Sequence, residues 1–79
     1  MQDLVEFIAR SLVDDPTQVI VSQGRKGSSN VEVRLQVSKE DMGRVIGKGG
    51  RVANAMRALL RVAAAREGKR ATLNIIEPR

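Results

Sequence analysis

The stretch that decides the fold reads VIGKGGR and covers positions 45–51, as Val45-Ile46-Gly47-Lys48-Gly49-Gly50-Arg51. Two of its glycines stand in a G-x-x-G spacing with a lysine between them, and apolar residues at helical spacing flank the stretch on both sides. We therefore expect it to join two helices. Glycine has no Cβ and tolerates positive φ, so its backbone can approach another backbone closely. The start of the second helix adds free N–H groups and partial positive charge, which suits a loop that holds a phosphodiester backbone.

Two familiar phosphate-binding motifs do not match this loop. A Walker A loop, G-x-x-x-x-G-K-[ST], requires glycine where the chain has Met42 and serine or threonine where it has Gly49. A dinucleotide-binding fingerprint requires a strand before the loop and a further glycine at the position of Val52. The spacing therefore excludes both mononucleotide and dinucleotide loops.

Positive charge is concentrated in the half of the chain that contains the loop. The whole chain carries 14 Lys and Arg against 9 Asp and Glu, a net charge of +5. Residues 43–70 contain eight cations and one anion, whereas residues 1–42 contain five cations and seven anions. This asymmetry favours a polyanionic partner such as nucleic acid, with an anionic membrane surface as the weaker alternative. Charge alone is equally compatible with a solvated cationic helix.

Hydrophobic periodicity and turn residues predict the element order α-β-β-α-α-β. The expected elements are a helix over 3–13 with Asp3 and Glu6 as a capping box, a strand over 18–23, a turn-rich mobile loop over 24–30, a strand over 31–37, a short helix over 39–46 capped by Ser38, a helix over 52–66, and a strand over 71–76 before Pro78. The first two strands should pair antiparallel. The second and third should be parallel, because two helices connect them.

The same periodicity predicts which side chains are buried. Leu4, Ile8 and Leu12 share one face of the first helix, with Val5 and Phe7 on its flanks and Phe7 expected in the core. The apolar stripe of the long helix is expected to consist of Val52, Met56, Leu59 and Ala63. The open face of the sheet should be polar, lined by Glu32, Arg34, Gln36, Thr72 and Asn74.

The helix–GxxG–helix arrangement within this element order resembles a KH domain. The likeness is carried by residues 45–52 and by the following Ala55-Met56-Arg57. The order matches the type II, prokaryotic arrangement, and residues 1–79 correspond to one such domain. In particular, the chain is similar to the small bacterial single-KH RNA-binding proteins of the KhpA (YlqC) type. The resemblance implies an α+β, type II KH fold with a three-stranded mixed sheet covered on one face by three helices.

In KH domains the GxxG loop clamps the backbone of about four nucleotides of single-stranded RNA or DNA. Carried over by position, the RNA-binding residues implied here are Gly47, Lys48, Gly49 and Gly50 in the loop and Arg51 as a second phosphate contact. Ile46 and Val52 are either the apolar floor of a groove or plain core, and Arg44 faces either the groove or solvent. Arg25 and Lys26, in the loop before the central strand, either flank the nucleic acid or form a solvated charge pair. Arg57 and Arg61 lie opposite the predicted apolar stripe and are expected to be solvent or interface residues rather than base readers.

Catalysis is not indicated by the composition. The chain contains no His, Cys, Tyr or Trp, and its acidic pairs stand at predicted helix ends, where capping explains them. We expect neither an enzyme nor a cofactor or metal site. Phe7 is the only aromatic residue, which excludes recognition of bases by stacking on exposed rings. The absence of cysteine and of a membrane-spanning run is consistent with the cytoplasm.

Self-association is the second function that the sequence suggests. Ala55, Leu60 and Val62 flank the predicted core stripe of the long helix and could pack against another helix. The family resemblance implies a homodimer, or a heterodimer with a larger Jag-type KH protein, that acts as an RNA chaperone or post-transcriptional regulator. A dimerisation module and a single-stranded DNA binder remain the alternatives to single-stranded RNA binding.

Overall fold

Three helices cover one face of a three-stranded sheet. The structure is a computed structural model that describes residues 1–77, so Pro78 lies outside the described residues. The regular elements are α1 (Gln2–Leu12), β1 (Ile20–Lys26), β2 (Asn30–Gln36), α2 (Met42–Ile46), α3 (Arg51–Arg66) and β3 (Arg70–Ile76). Single turns of 3-10 helix precede β1, α2 and α3. No helix in the described range is both long and apolar enough to cross a bilayer.

The sheet has the order β1-β2-β3. β1 runs antiparallel to β2, with Ile20 opposite Gln36, and β2 runs parallel to β3, with Val31 opposite Ala71. The helices α2 and α3 form the connection that a parallel pair requires. The predicted order, strand directions and α+β class are therefore confirmed, and they match a type II KH fold.

The hairpin between β1 and β2 is tighter than the sequence predicted. We expected a long loop over 24–30, but β1 continues to Lys26, which pairs with Asn30. Only residues 27–29 form the turn, and Gly27 supplies its positive φ of 79°. The glycine and basic residues at 24–26 predicted a loop, but their backbone groups pair with β2 and extend the strand. The predicted boundary is wrong, although the antiparallel hairpin itself is confirmed.

The core lies between the sheet and the helices. From β2, the side chains of Val31, Val33 and Leu35 are buried, as the alternation predicted. They pack with Val5 and Ala9 of α1, Val45 of α2, Met56 and Leu60 of α3, and Leu73 of β3. Burial of such side chains contributes about 1.5–3 kcal/mol each to stability.

Two helix orientations differ from the prediction. α1 buries Val5 and Ala9, whereas Phe7 is 72% exposed and is not a core residue. The sequence-based exclusion of stacking on an exposed ring therefore rested on a wrong placement of Phe7. Of the predicted stripe, Ile8 packs against the core, whereas Leu12 is 36% exposed. The capping box is also absent, because Met1 occupies the N-cap without a side-chain hydrogen bond.

α3 is rotated by roughly one residue position from the predicted stripe. Its buried residues are Ala53, Met56, Leu60 and Ala64. Leu59, expected in the core, is 49% exposed, while Leu60, expected on a flank, is 1% exposed. Only Met56 belongs to both the predicted and the observed buried sets.

Glu32, which was predicted to line the open face of the sheet, is buried. This residue is only 5% exposed, since Arg34 Nε donates to its Oε1 at 2.8 Å and Asn74 Nδ2 donates to its Oε2 at 2.7 Å. A buried carboxylate is costly unless its oxygens are satisfied, and these two donors meet that requirement. The hydrogen bond from Asn74 on β3 to Glu32 on β2 also links these two strands through their side chains.

Candidate nucleic-acid interface

A buried aspartate holds the N-terminal end of α2, the helix before the glycine loop. Asp41 is 2% exposed and accepts hydrogen bonds from the backbone N–H groups of Asp14 and Asp15, both at 3.1 Å, and from Ser38 Oγ at 2.9 Å. The N–H of Asp14 holds the pKa of the Asp41 carboxyl below its ordinary value; Ser38, Asp15 and Arg44 act in the same direction, and burial opposes them. These contacts tie the start of α2 to the segment that follows α1.

Arg44 belongs to this anchor rather than to the loop. Its Nη2 lies 2.9 Å from Asp14 Oδ2, and its Nε lies 3.4 Å from Asp41 Oδ1. At about 100° per residue, Arg44 also stands on the side of α2 opposite Ile46. Of the residues predicted to bind RNA, it is the one that the structure does not bring towards the groove described below.

Gly47 ends α2 and turns the chain sharply. Its φ and ψ are 77° and 167°, and its N–H donates to the carbonyl of Gly43 at 2.9 Å. A Cβ at this position would lie 2.6 Å from Val52 Cγ2 and 2.9 Å from the backbone nitrogen of Val52. The loop can therefore fold against the start of α3 only because residue 47 has no side chain.

The rest of the loop forms one turn that leaves two donors available. The N–H of Gly50 donates to the carbonyl of Gly47 at 3.1 Å, and the N–H of Arg51 donates to the carbonyl of Lys48. Within residues 1–77, neither the N–H of Lys48 nor that of Gly49 has a hydrogen bond to the protein. Both residues are exposed. Unpaired, accessible N–H groups are suited to binding an anion.

The electrostatic surroundings of the loop are positive. α3 is 16 residues long and begins at Arg51, so the positive end of its dipole lies at the loop. The side chains of Lys48 and Arg51 form no ion pair within the described part of the chain. Two full charges, a helix N-terminus and free N–H groups thus meet over a few residues. Such a combination is suited to phosphate oxygens and requires no particular base.

An apolar surface lies next to the loop. Ile46 is 36% exposed and, with Met42, Lys39 and Glu77, lines a cavity of about 260 Å³ at the end of β3. Val52 is half-buried and packs against the core. Of the two sequence alternatives, the exposed position of Ile46 fits a groove floor, whereas Val52 serves partly as core.

Arg57 is a candidate that the sequence assigned to solvent or to an interface. Its Nη2 donates to the carbonyl of Leu73 at 3.4 Å, and its Nη1 donates to Asn54 Oδ1 at 3.3 Å. The side chain is half-buried and lies over the edge of β3. Arg57 follows the buried Ala53 by four residues and precedes the buried Leu60 by three, which places it beside the buried face; the predicted stripe, offset by one residue, had turned it to solvent.

The free edge of β3 completes the groove. The N–H of Arg70 points towards β2, where it donates to the carbonyl of Ser29 at 2.8 Å, whereas the carbonyl of Leu73 points away, towards Arg57. Since successive residues alternate along a strand, the backbone groups of Ala71, Leu73 and Ile75 are directed to the open edge. Donors and acceptors at this edge can bond to the edges of bases held in the groove.

Comparison with known proteins agrees with this architecture. A family profile described as "KhpA/KhpB, KH domain" matches residues 2–75. The RNA-binding protein KhpA of Clostridium perfringens is 47% identical over 76 residues, which cover 96% of this chain and all of the relative. The protein of the same description from Halalkalibacterium halodurans is 46% identical, covering 98% of this chain and all of the relative. That from Aquifex aeolicus is 39% identical, covering 98% and 96%.

No solved structure matches the chain. The family match spans nearly the whole chain, and it includes the loop, both flanking helices and all three strands. Together with the element order and the GKGG loop, this match shows that the chain belongs to the KhpA/KhpB family of KH-domain proteins.

Proposed function

We propose that this protein is a non-catalytic RNA-binding protein that holds single-stranded RNA at its glycine loop. The observation that carries the proposal is the loop itself, where the free N–H groups of Lys48 and Gly49 lie at the positive end of α3. Gly47 and Gly50 let the RNA backbone approach, and Lys48 and Arg51 contact phosphates. The relatives named above are described as RNA-binding proteins, which supports RNA as the ligand.

Bases of the bound strand would rest on the apolar surface beside the loop. Ile46, and in part Val52, form its floor. Arg57 and the open edge of β3 supply hydrogen bonds on the other side. Aliphatic contacts give little discrimination between bases, so we expect modest affinity and weak sequence preference from one domain.

The direct test replaces Lys48 and Gly49 with aspartate. Gly49 has φ 66°, a conformation that aspartate adopts more readily than most residues, and a Cβ there meets no atom within 4 Å. The double variant should therefore fold. Two aspartates repel phosphates, so crosslinking to RNA should be lost.

A matched control is Arg10→Asp with Gln18→Asp, which changes the net charge by the same amount at exposed positions far from the loop in sequence. The control should crosslink like the wild type. If the folded loop variant bound RNA as well as the control, the loop would not be the RNA-binding site. Circular dichroism and urea unfolding establish that both variants are folded.

We also propose that the protein acts as a dimer, formed across α3 by two copies of the chain. The side of α3 that faces away from the core carries Ala55, Ala58, Leu59 and Val62, of which Leu59 is 49% and Val62 is 59% exposed. The alanines let two helices approach closely, and such a face can be complementary to its own copy about a two-fold axis. Two linked domains bind one RNA more tightly than either does alone.

The dimer is tested by the mass of a Val62→Glu variant. A charge on this face should yield a monomer in light scattering across a dilution series, whereas Ser11→Glu, which adds the same charge to the exposed side of α1, should leave the dimer intact. A wild-type chain that is monomeric up to millimolar concentration would contradict the homodimer. A Jag-type KH protein would then be the alternative partner.

Competition between RNA and single-stranded DNA of the same sequence tests the ligand class. We propose that RNA is preferred and that the protein works in the cytoplasm as an RNA chaperone or post-transcriptional regulator. Equal competition by DNA would leave the loop mechanism intact but contradict the assignment to RNA.

A further inference from the structure

Positively charged side chains continue beyond the groove that lies beside the loop. Arg57 lines a cavity together with Arg61 of α3 and residues 71–73 of β3. A second cavity, of about 520 Å³, shares Arg61, Ala71 and Thr72 with the first and adds Lys69 and Arg70. The shared lining residues make the two cavities one continuous surface. It runs between α3 and the open edge of β3.

The direction of this surface follows from the chain path. α3 ends at Arg66 and β3 begins at Arg70 after a short turn, while Arg57, two turns earlier in α3, reaches Leu73. α3 therefore runs antiparallel alongside β3, and the glycine loop lies towards the C-terminal end of β3. The surface leads from the loop end of the edge to Arg70 at the other end.

Three cations along this surface lack an acidic partner in the part of the chain that the structure describes. None of Arg61, Lys69 and Arg70 forms an ion pair within residues 1–77. Glu67 is near them in sequence, but it lines neither cavity. Like charges gathered without counter-charges repel one another, and a polyanion laid along them relieves that repulsion.

The surface extends along β3 beyond the residue that Arg57 contacts. β3 has seven residues, and at about 3.3 Å per residue its edge is roughly 20 Å long. Arg70 precedes Leu73 by three residues on β3, so the surface continues for about 10 Å along the edge beyond the point that Arg57 reaches. A strand clamped at the loop and continuing in the same direction would reach the second cavity.

We propose that Arg61, Lys69 and Arg70 form a second phosphate-binding segment for single-stranded RNA, continuous with the groove beside the glycine loop. The segment holds the part of the strand that leaves the groove, so the footprint of one domain is longer than four nucleotides. This inference rests on the proposed RNA-binding function and extends it. Recognition there is of the phosphate backbone alone, since the lining offers cations, Thr72 and alanines.

The test compares the salt dependence of binding for four- and eight-nucleotide RNAs of the same repeated base. Each phosphate contact on a single strand contributes about 0.7 to the slope of log K against log salt concentration. Three additional contacts should make the wild-type slope for the eight-mer steeper than that for the four-mer by about two. NMR titration measures both affinities even when they are weak.

A double variant, Arg61→Gln with Arg70→Gln, identifies the residues responsible. Both side chains are exposed, so the fold should persist. The variant should bind the four-mer like the wild type, and its slope for the eight-mer should lose about 1.4 units. A control with Arg10→Gln and Arg66→Gln removes the same charge away from both cavities and should keep the wild-type slopes.

The outcomes separate this inference from the proposed function. Equal slopes for the two RNA lengths in the wild type, or a double variant that behaves like its control on the eight-mer, would overturn the second segment while leaving the loop site standing. Four-mer binding that survives Lys48→Asp with Gly49→Asp would instead overturn the loop site.

Discussion

At the scale of single residues, Gly47 carries the strictest requirement of the loop. Its φ of 77° and ψ of 167° lie in a region that only glycine occupies readily. Gly49, with φ 66° and ψ 19°, has the ordinary left-handed conformation and open space around its Cα. The G-x-x-G spacing predicted a turn, but it did not indicate that these two glycines have different roles.

Replacing these glycines should separate the two roles. Gly47→Ala places a Cβ 2.6 Å from Val52 Cγ2, so strain and overlap should lower the free energy of unfolding by about 3 kcal/mol or more. Gly49→Ala serves as the control and should cost about 1 kcal/mol, the price of a left-handed conformation alone. Urea unfolding measures both. Equal losses would show that the contact with Val52 is not what requires glycine at position 47.

Asp41 is the residue whose role was least visible in the sequence. The sequence predicted an acidic residue near the start of a helix capped by Ser38, but Ser38 makes no capping hydrogen bond and instead donates to Asp41. Asp41 also accepts hydrogen bonds from Asp14 and Asp15, which precede it by 27 and 26 positions. Sequence periodicity reports neighbours along one element. Contacts between distant segments, such as this one, become visible only in the folded chain.

The Asp41 contacts predict a dependence of stability on pH. The folded-state pKa of Asp41 lies below its ordinary value of 3.8, so its ionised form stabilises the fold above that value, and this contribution is lost as the pH falls through the folded-state pKa. Asp41→Asn should lower the urea midpoint at pH 7 and flatten its fall between pH 4 and pH 2. Glu40→Gln, at an exposed neighbouring position, is the control. A wild-type fall that persists unchanged in Asp41→Asn would assign the acid sensitivity elsewhere.

At the scale of elements, the sequence predicted which helices and strands form and in what order. It did not predict which face of each helix is buried. Apolar residues occupy most positions of α3, so several stripes at helical spacing fit the sequence, among them 52/56/59/63 and the observed 53/56/60/64. Both stripes contain Met56 and an alanine in the last turns of α3, so composition does not separate them, and contacts with the sheet decide which face is buried. The position of Phe7 on α1 was likewise not decided by periodicity.

Adjacent leucines of α3 test this rotation. Leu60→Ala removes a side chain that is 1% exposed and should lower the free energy of unfolding by about 2–5 kcal/mol. Leu59→Ala, at a half-exposed position, should cost about 1 kcal/mol or less. Both are best measured in a Val62→Glu background, where the proposed dimer does not contribute. A larger loss at position 59 than at position 60 would contradict the observed orientation.

At the scale of the whole molecule, charge distribution and fold combine at one surface. The sequence placed the excess of cations in residues 43–70, and the fold lays the loop and the side of α3 that carries Arg57 and Arg61 along the free edge of β3. Arg57 could not be assigned to this edge from the sequence because the predicted stripe turned it to solvent. Conversely, Arg44 fitted the motif's neighbourhood, but the fold pairs it with Asp14 and Asp41.

The most direct test of the account is an NMR titration of the protein with a short single-stranded RNA, following every backbone amide. We predict the largest changes at the N–H groups of Lys48 and Gly49, which have no hydrogen bond to the protein within residues 1–77, followed by Ile46, Arg51 and the edge of β3. Changes confined to the open face of the sheet, around Ile20, Arg34 and Asn74, with the loop amides unaffected, would contradict it.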